Sequence, residues 1–94
     1  MKIRILPAAS RDLERVLGQS KSLFGPMQAK RYSDEIRDAI LKLSNEVFLF
    51  PERLEFTPPI RVKPYKAHLI LYRVEAETVF VLRVRHGRED WRDA

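Results

Sequence analysis

The side chains able to do chemistry gather near the end of the chain, where Arg83, Arg85, His86, Arg88, Glu89, Asp90 and Trp91 follow one another closely. His86 beside Gly87 can serve as a general acid or base toward a phosphodiester while the three arginines steady the developing negative charge. The same group can also hold a phosphate without breaking it. A lone histidine at a strand end is commonly a hydrogen-bonded structural residue, and His68 carries even less of a catalytic pattern. Glu89 and Asp90 read either as solvated carboxylates or as partners of the nearby arginines. Trp91 either packs back on the sheet or anchors a partner, since tryptophan is a frequent hot spot at interfaces. No Gly-rich phosphate loop, spaced pair of carboxylates or serine-centred nucleophile motif accompanies them.

Composition bounds what can position these groups. At 94 residues the chain fits one domain, residues 1–94, because halves of it would hide too little apolar surface to fold. An apolar content of 45% argues against disorder, and 33% charge argues against a membrane protein. The opening Met1 to Leu6 alternates charged and apolar side chains and lacks the core of a secretory signal, so a cytoplasmic location is expected. With no cysteine and only His68 and His86, neither a disulfide, a metal site nor a cofactor is expected. The net charge of +5 favours anionic partners such as nucleic acid or an acidic protein segment. Residues 60–88 hold seven basic and two acidic residues, a surplus of five that equals the whole net charge.

The elements that must carry this charge follow from periodicity. Lys2-Ile-Arg-Ile-Leu6 alternates as a half-buried strand does. Pro7 suits a first helical turn, and Leu13, Val16 and Leu17 recur at helical spacing, which predicts a helix to about Ser22. Gly25-Pro26 restarts the chain, and Tyr32, Ile36, Ala39, Ile40 and Leu43 form the apolar stripe of a second helix. Residues 45–59 read as an irregular packed connection whose phenylalanines plug the end of the core. Residues 60–63, 67–74 and 79–86 read as three strands. The order β-α-α-β-β-β predicts an α+β fold with a helical hairpin packed on one face of an antiparallel sheet.

Strand parity then decides what each face presents. Even positions give a core face of Ile60, Val62, Ile70, Tyr72, Val74, Phe80, Leu82 and Val84. Odd positions give Arg61, Lys63, Leu69, Leu71, Arg73, Val81, Arg83 and Arg85. If the hairpins pair even with even, the second face is a groove with an apolar floor and basic walls, a docking place for a partner with acidic and apolar side chains. The turn Glu75-Ala-Glu-Thr78 carries no Asn-Gly signal, so the opposite register stays open, as does a merely solubilising role for the charges.

Three segments resemble the RelE/ParE toxin superfamily of bacterial toxin-antitoxin modules, and its ParE branch more closely. They are Leu6-Pro-Ala-Ala9 with Arg11-Asp-Leu13; Pro64-Tyr-Lys66 with Leu71-Tyr-Arg-Val74; and Leu82-Arg-Val-Arg-His-Gly-Arg-Glu-Asp-Trp91, the most specific of the three. The resemblance implies a small α+β toxin wrapped by the C-terminal segment of an antitoxin, which would meet Arg61, Lys63, Leu69, Leu71, Arg73 and Val81. It also implies a target. ParE-like members are associated with inhibition of DNA gyrase, so Arg83, Arg85, His86, Arg88 and Trp91 become the expected target contacts with no catalytic residue among them. RelE-like members are ribosome-dependent messenger RNA endonucleases, and on that alternative His86, Arg83 and Arg85 would do the chemistry. The chain departs from the nuclease pattern: Leu69 stands where those enzymes carry an arginine, Glu89 replaces another, and the chain stops before a terminal tyrosine. A third possibility is a member without toxicity that retains antitoxin binding.

Overall fold

The computed structural model describes residues 1–93. Strand β1 (Lys2–Ile5) leads into helices α1 (Pro7–Phe24) and α2 (Pro26–Leu41), with a short helix α3 (Leu43–Glu46) after them. Proline opens both long helices, where its missing N–H has no intrahelical partner. Gly25 separates them at φ 86°, a left-handed conformation that glycine adopts without a Cβ clash, while its N–H donates to the Lys21 carbonyl. The irregular connection holds a two-residue strand, β2 (Glu52–Arg53). The long strands β3 (Ile60–Tyr65), β4 (His68–Glu75) and β5 (Thr78–His86) follow, and a 3-10 turn, Trp91–Asp93, closes the described chain. Among the described residues no helix is long and apolar enough to cross a membrane.

The five strands form one sheet in the order β1-β5-β4-β3-β2. Its hairpins are antiparallel as expected, but β1 pairs with β5 in parallel, so the sheet is mixed. Alternation within β1 reveals a half-buried strand and says nothing about its neighbour; the helical hairpin carries the chain back across the sheet and lets β5 slot beside β1. The helices cover one face, burying Leu13, Val16, Ile36 and Ile40 against Ile70, Tyr72, Val79 and Val81. Tyr72 is fully buried, and its hydroxyl donates to the Val47 carbonyl at 2.7 Å. Burial pushes its pKa up to about 12.

Register overturns the parity expectation. Two-residue loops, Lys66-Ala67 and Ala76-Glu77, join the strands, so Tyr65 pairs with His68 and Glu75 with Thr78, odd opposite even. On β3, therefore, Arg61 and Lys63 lie on the helix-covered face opposite Tyr72 and Ile70, and Ile60 and Val62 take the other face. Along β4 and β5 a bulge at Leu71/Tyr72 admits one extra residue. Beyond it Leu69 pairs with Arg85, and Leu71 with Arg83, even parity restored. Before it Val81 faces Tyr72 in the core while Phe80 lies opposite Arg73. The face assignments of Arg61, Lys63, Val81, Ile60, Val62, Phe80 and Leu82 are thus reversed from expectation.

Candidate functional site

Arg83, Arg85 and Arg73 do share the open face of the sheet, but none projects freely. β1 ends at Ile5, so the edge of β5 beyond Val81 has no strand beside it. The Asp12 carboxylate of α1 fills that gap, accepting the Val84 N–H at 2.9 Å. Arg83 reaches round the edge and donates to both oxygens of the same carboxylate, at 2.7 and 3.0 Å. Burial alone would raise the Asp12 carboxyl; the hydrogen bonds from Arg83 and Val84 and the charges of Arg83 and Arg15 hold it below its ordinary value. Arg85 donates to Glu89, whose second oxygen accepts the His86 N–H at 2.9 Å. That backbone bond, with the Arg85 charge, lowers the Glu89 carboxyl. Arg73 is bound to Glu75 at 3.3 Å and lies over the Phe80 ring.

The apolar floor of the expected groove is filled by the chain itself. Trp91 packs on Ile60, Val62 and Leu71, with Leu69 at the margin. Its ring stacks on Phe56 at 5.9 Å, and the Arg53 guanidinium lies over it at 5.7 Å. Of the two roles open to Trp91, it takes the one of packing back on the sheet. Arg61 donates to the Phe50 carbonyl, and Lys63 bridges the Ala39 carbonyl and the Glu46 carboxylate. Lys63 thus ties the helices to β3, and Arg61 ties the connection before β2 to it. The six residues expected to form a docking groove therefore do not share one surface: Arg61, Lys63 and Val81 face the helices, and Leu69, Leu71 and Arg73 the other side.

A second constellation joins residues far apart in sequence. His68 and His86 pair across β4 and β5 on the helix face, their rings edge to face at 5.2 Å. The Tyr32 hydroxyl of α2 shares a 2.7 Å hydrogen bond with His68 Nδ1. Burial and then the neighbouring His86 lower the His68 pKa, which keeps its ring neutral near pH 7. His86 Nδ1 accepts the Arg88 N–H at 3.1 Å, so that nitrogen is already engaged. These rings floor a cleft of about 400 Å³ whose walls are Leu23 and Phe24 of α1, Gln28 of α2 and the turn at Lys66. Parity missed this cleft because it lies where the tip of the helical hairpin meets the sheet. The available signal was Leu23-Phe24, which continues the apolar spacing of α1 up to Gly25-Pro26 yet stands exposed beyond the core.

Known proteins share both the sequence pattern and this architecture. A family model described as ParE toxin of type II toxin-antitoxin system, parDE, matches residues 3–91. The chain belongs to the ParE toxin family. Its structure is similar to a solved chain described as the chromosomal ParDE TA system from P. aeruginosa, with a TM-score of 0.81 and 19% identity, over 92% of this chain and 95% of that one. At that identity the likeness concerns the fold. No curated protein sequence matches the chain.

For a ParE-family toxin the arrangement is one of engaged charges. Four of the five residues expected to meet a target have internal duties: Arg83 holds Asp12, Arg85 holds Glu89, His86 receives Arg88, and Trp91 covers the sheet. The side chain of Arg88 stands exposed at the tip of the strand-end turn. That turn is fixed by the Gly87 N–H, which donates to the Ala67 carbonyl at 2.8 Å.

Proposed function

We propose that this ParE-family chain is the toxin of a type II toxin-antitoxin module, acting in the cytoplasm by binding DNA gyrase and neutralised by a cognate antitoxin. The family match over residues 3–91 carries the reading. Binding rather than bond cleavage is supported by the state of the strand-end groups. A phosphodiester in cleavage needs arginines able to turn toward developing charge, and Arg83 and Arg85 are each held by a carboxylate. On this reading Arg88 and the exposed edge of His86 meet the target, while Glu89, bound to Arg85 and to the His86 N–H, holds the turn that presents them.

Ribosome-dependent cleavage of messenger RNA is the second reading. The facing imidazoles of His68 and His86 favour it, because two histidines can divide acid and base duties. Expression without antitoxin separates the two. A gyrase poison induces a DNA-damage reporter before protein synthesis falls, and a nuclease stops protein synthesis first, leaving new message ends in primer extension. Cleavage that disappears in His86→Ala would replace the gyrase reading. Growth unaffected by expression would remove both.

A further inference from the structure

Two features of α1 weaken the helix without serving the core. Arg11 and Arg15 stand one turn apart, both exposed, and like charges at that spacing are unfavourable. Gly18 lies in the helix interior, where glycine is less favourable than alanine, yet a Cβ there would meet nothing within 4 Å. Packing therefore does not require it. With Ser22 these residues follow at spacings of four, three and four, which sets them on one stripe of the helix. The stripe borders the edge of β5 that β1 leaves unpaired. There Arg15 reaches the Asp12 carboxylate at 3.5 Å while its side chain stays 59% exposed. Arg83 holds the same carboxylate, so one negative charge answers two guanidiniums. Glu14 is the one exposed carboxylate of α1, and among the described residues it forms no ion pair with either arginine. From Arg83 the strand leads on to the exposed Arg88, so the basic edge is continuous with the turn assigned to the target.

From these observations, and resting on the gyrase reading, we infer that this stripe of α1 lies along the phosphate backbone of the duplex that gyrase holds. Arg11 and Arg15, about 6 Å apart along the helix axis, meet phosphates, and the bare Gly18 with the short Ser22 lets the DNA strand approach the helix. A duplex presents an unbroken line of negative charge, which relieves the repulsion between the two arginines. Contacts of this kind position a protein on DNA without reading its sequence. An acidic protein segment fits poorly, because the stripe offers no large apolar side chain to bury. A second copy of this chain would bring the same arginines and a further net charge of +5.

The test is a fluorescence anisotropy titration of the labelled chain with gyrase, alone and loaded with a DNA duplex. The duplex should tighten binding of the parent chain by roughly tenfold or more, and this gain should fall steeply with salt. Arg11→Gln/Arg15→Gln should bind gyrase alone as the parent does, lose most of the gain and reduce the salt slope by about 2. Arg11→Gln by itself leaves every contact of Asp12 in place and should reduce the slope by about 1. Gly18→Gln should raise the unfolding midpoint and yet weaken binding to the loaded enzyme about threefold, a split that a purely structural glycine would not give. Arg37→Gln, at an exposed arginine of α2, should change nothing. Equal affinity of the parent chain for gyrase with and without DNA, or an undiminished gain in both the double variant and Arg11→Gln, would overturn the stripe and leave gyrase as the target. Binding to ribosomes that the same substitutions weaken would transfer the stripe to RNA and overturn the DNA contact. A chain that binds gyrase in neither state would overturn the gyrase reading together with the stripe.

Discussion

Asp12 joins α1 to the unpaired edge of β5, and removing its carboxylate should be among the most damaging single changes. At 2% exposure it accepts hydrogen bonds from the Val84 N–H and, through both oxygens, from Arg83. Asp12→Ala leaves that N–H without an acceptor, a loss of about 1–3 kcal/mol, and also removes the ion pair. Breaking a fully buried pair costs about 3–5 kcal/mol. Arg83 is 32% exposed and can turn to water, so the lower end applies and the total should be about 3 kcal/mol. Against the roughly 5–15 kcal/mol that stabilises a domain, this is a large fraction. It corresponds to a fall in Tm of about 12–24 °C for a domain of this size. Asp12→Asn keeps an oxygen for Val84 and should lose about 2 kcal/mol. Urea unfolding with an unchanged slope reads both values, and a cycle with Arg83→Ala should give a coupling of about 2 kcal/mol. Because the folded carboxyl sits below its unfolded value, its stabilisation is present above about pH 4 and is lost as pH falls through the folded pKa. Asp12→Asn should therefore flatten the acid limb of the stability profile. A loss below about 1 kcal/mol in Asp12→Ala, or additive effects in the cycle, would refute the edge-filling role.

Further outcomes are expected elsewhere. Ala76 and Glu77 occupy left-handed positions at φ 48° and 58°, so Ala76→Asn with Glu77→Gly should stabilise the β4–β5 turn by about 1 kcal/mol and raise Tm by about 4–8 °C, read by thermal melting. Trp91→Ala should uncover Ile60, Val62 and Leu71, costing about 2–3 kcal/mol in urea unfolding and increasing binding of an apolar dye. His68, depressed by burial and by His86, stabilises the fold above the usual histidine pKa and loses that contribution as pH falls through its folded value. Imidazole NMR should show His68 titrating below the usual histidine value, and Tyr32→Phe should disturb the His68 resonance more than that of His86.

Much of the fold was legible because its helices carry clean apolar stripes and its strands are rich in β-branched and aromatic residues. Ile36, Ala39 and Ile40 face the core as their spacing predicts, and the three long strands start and stop within two residues of the expected positions. What escaped was register. A two-residue turn pairs odd with even, and Ala76-Glu77 has none of the residues that normally announce such a turn. The bulge at Leu71/Tyr72 then changes parity partway along β5, sending Val81 inward and Phe80 outward. The charge count over residues 60–88 was sound, yet charge type does not reveal direction. Lys63 reaches Ala39 and Glu46 inside the helical layer, and Arg83 turns back to Asp12 from a helix seventy-one residues earlier. The cleft needed the hairpin tip, the β3–β4 turn and the end of β5 brought together, a relation no local pattern contains.

Purified gyrase incubated with stoichiometric amounts of the chain tests most directly whether the toxin works by binding. Supercoiling should fall and cleaved DNA complex should accumulate, Arg88→Glu should abolish both effects, and prior addition of antitoxin should prevent them. Gyrase activity unchanged by a folded, growth-arresting preparation of the chain would contradict the proposal.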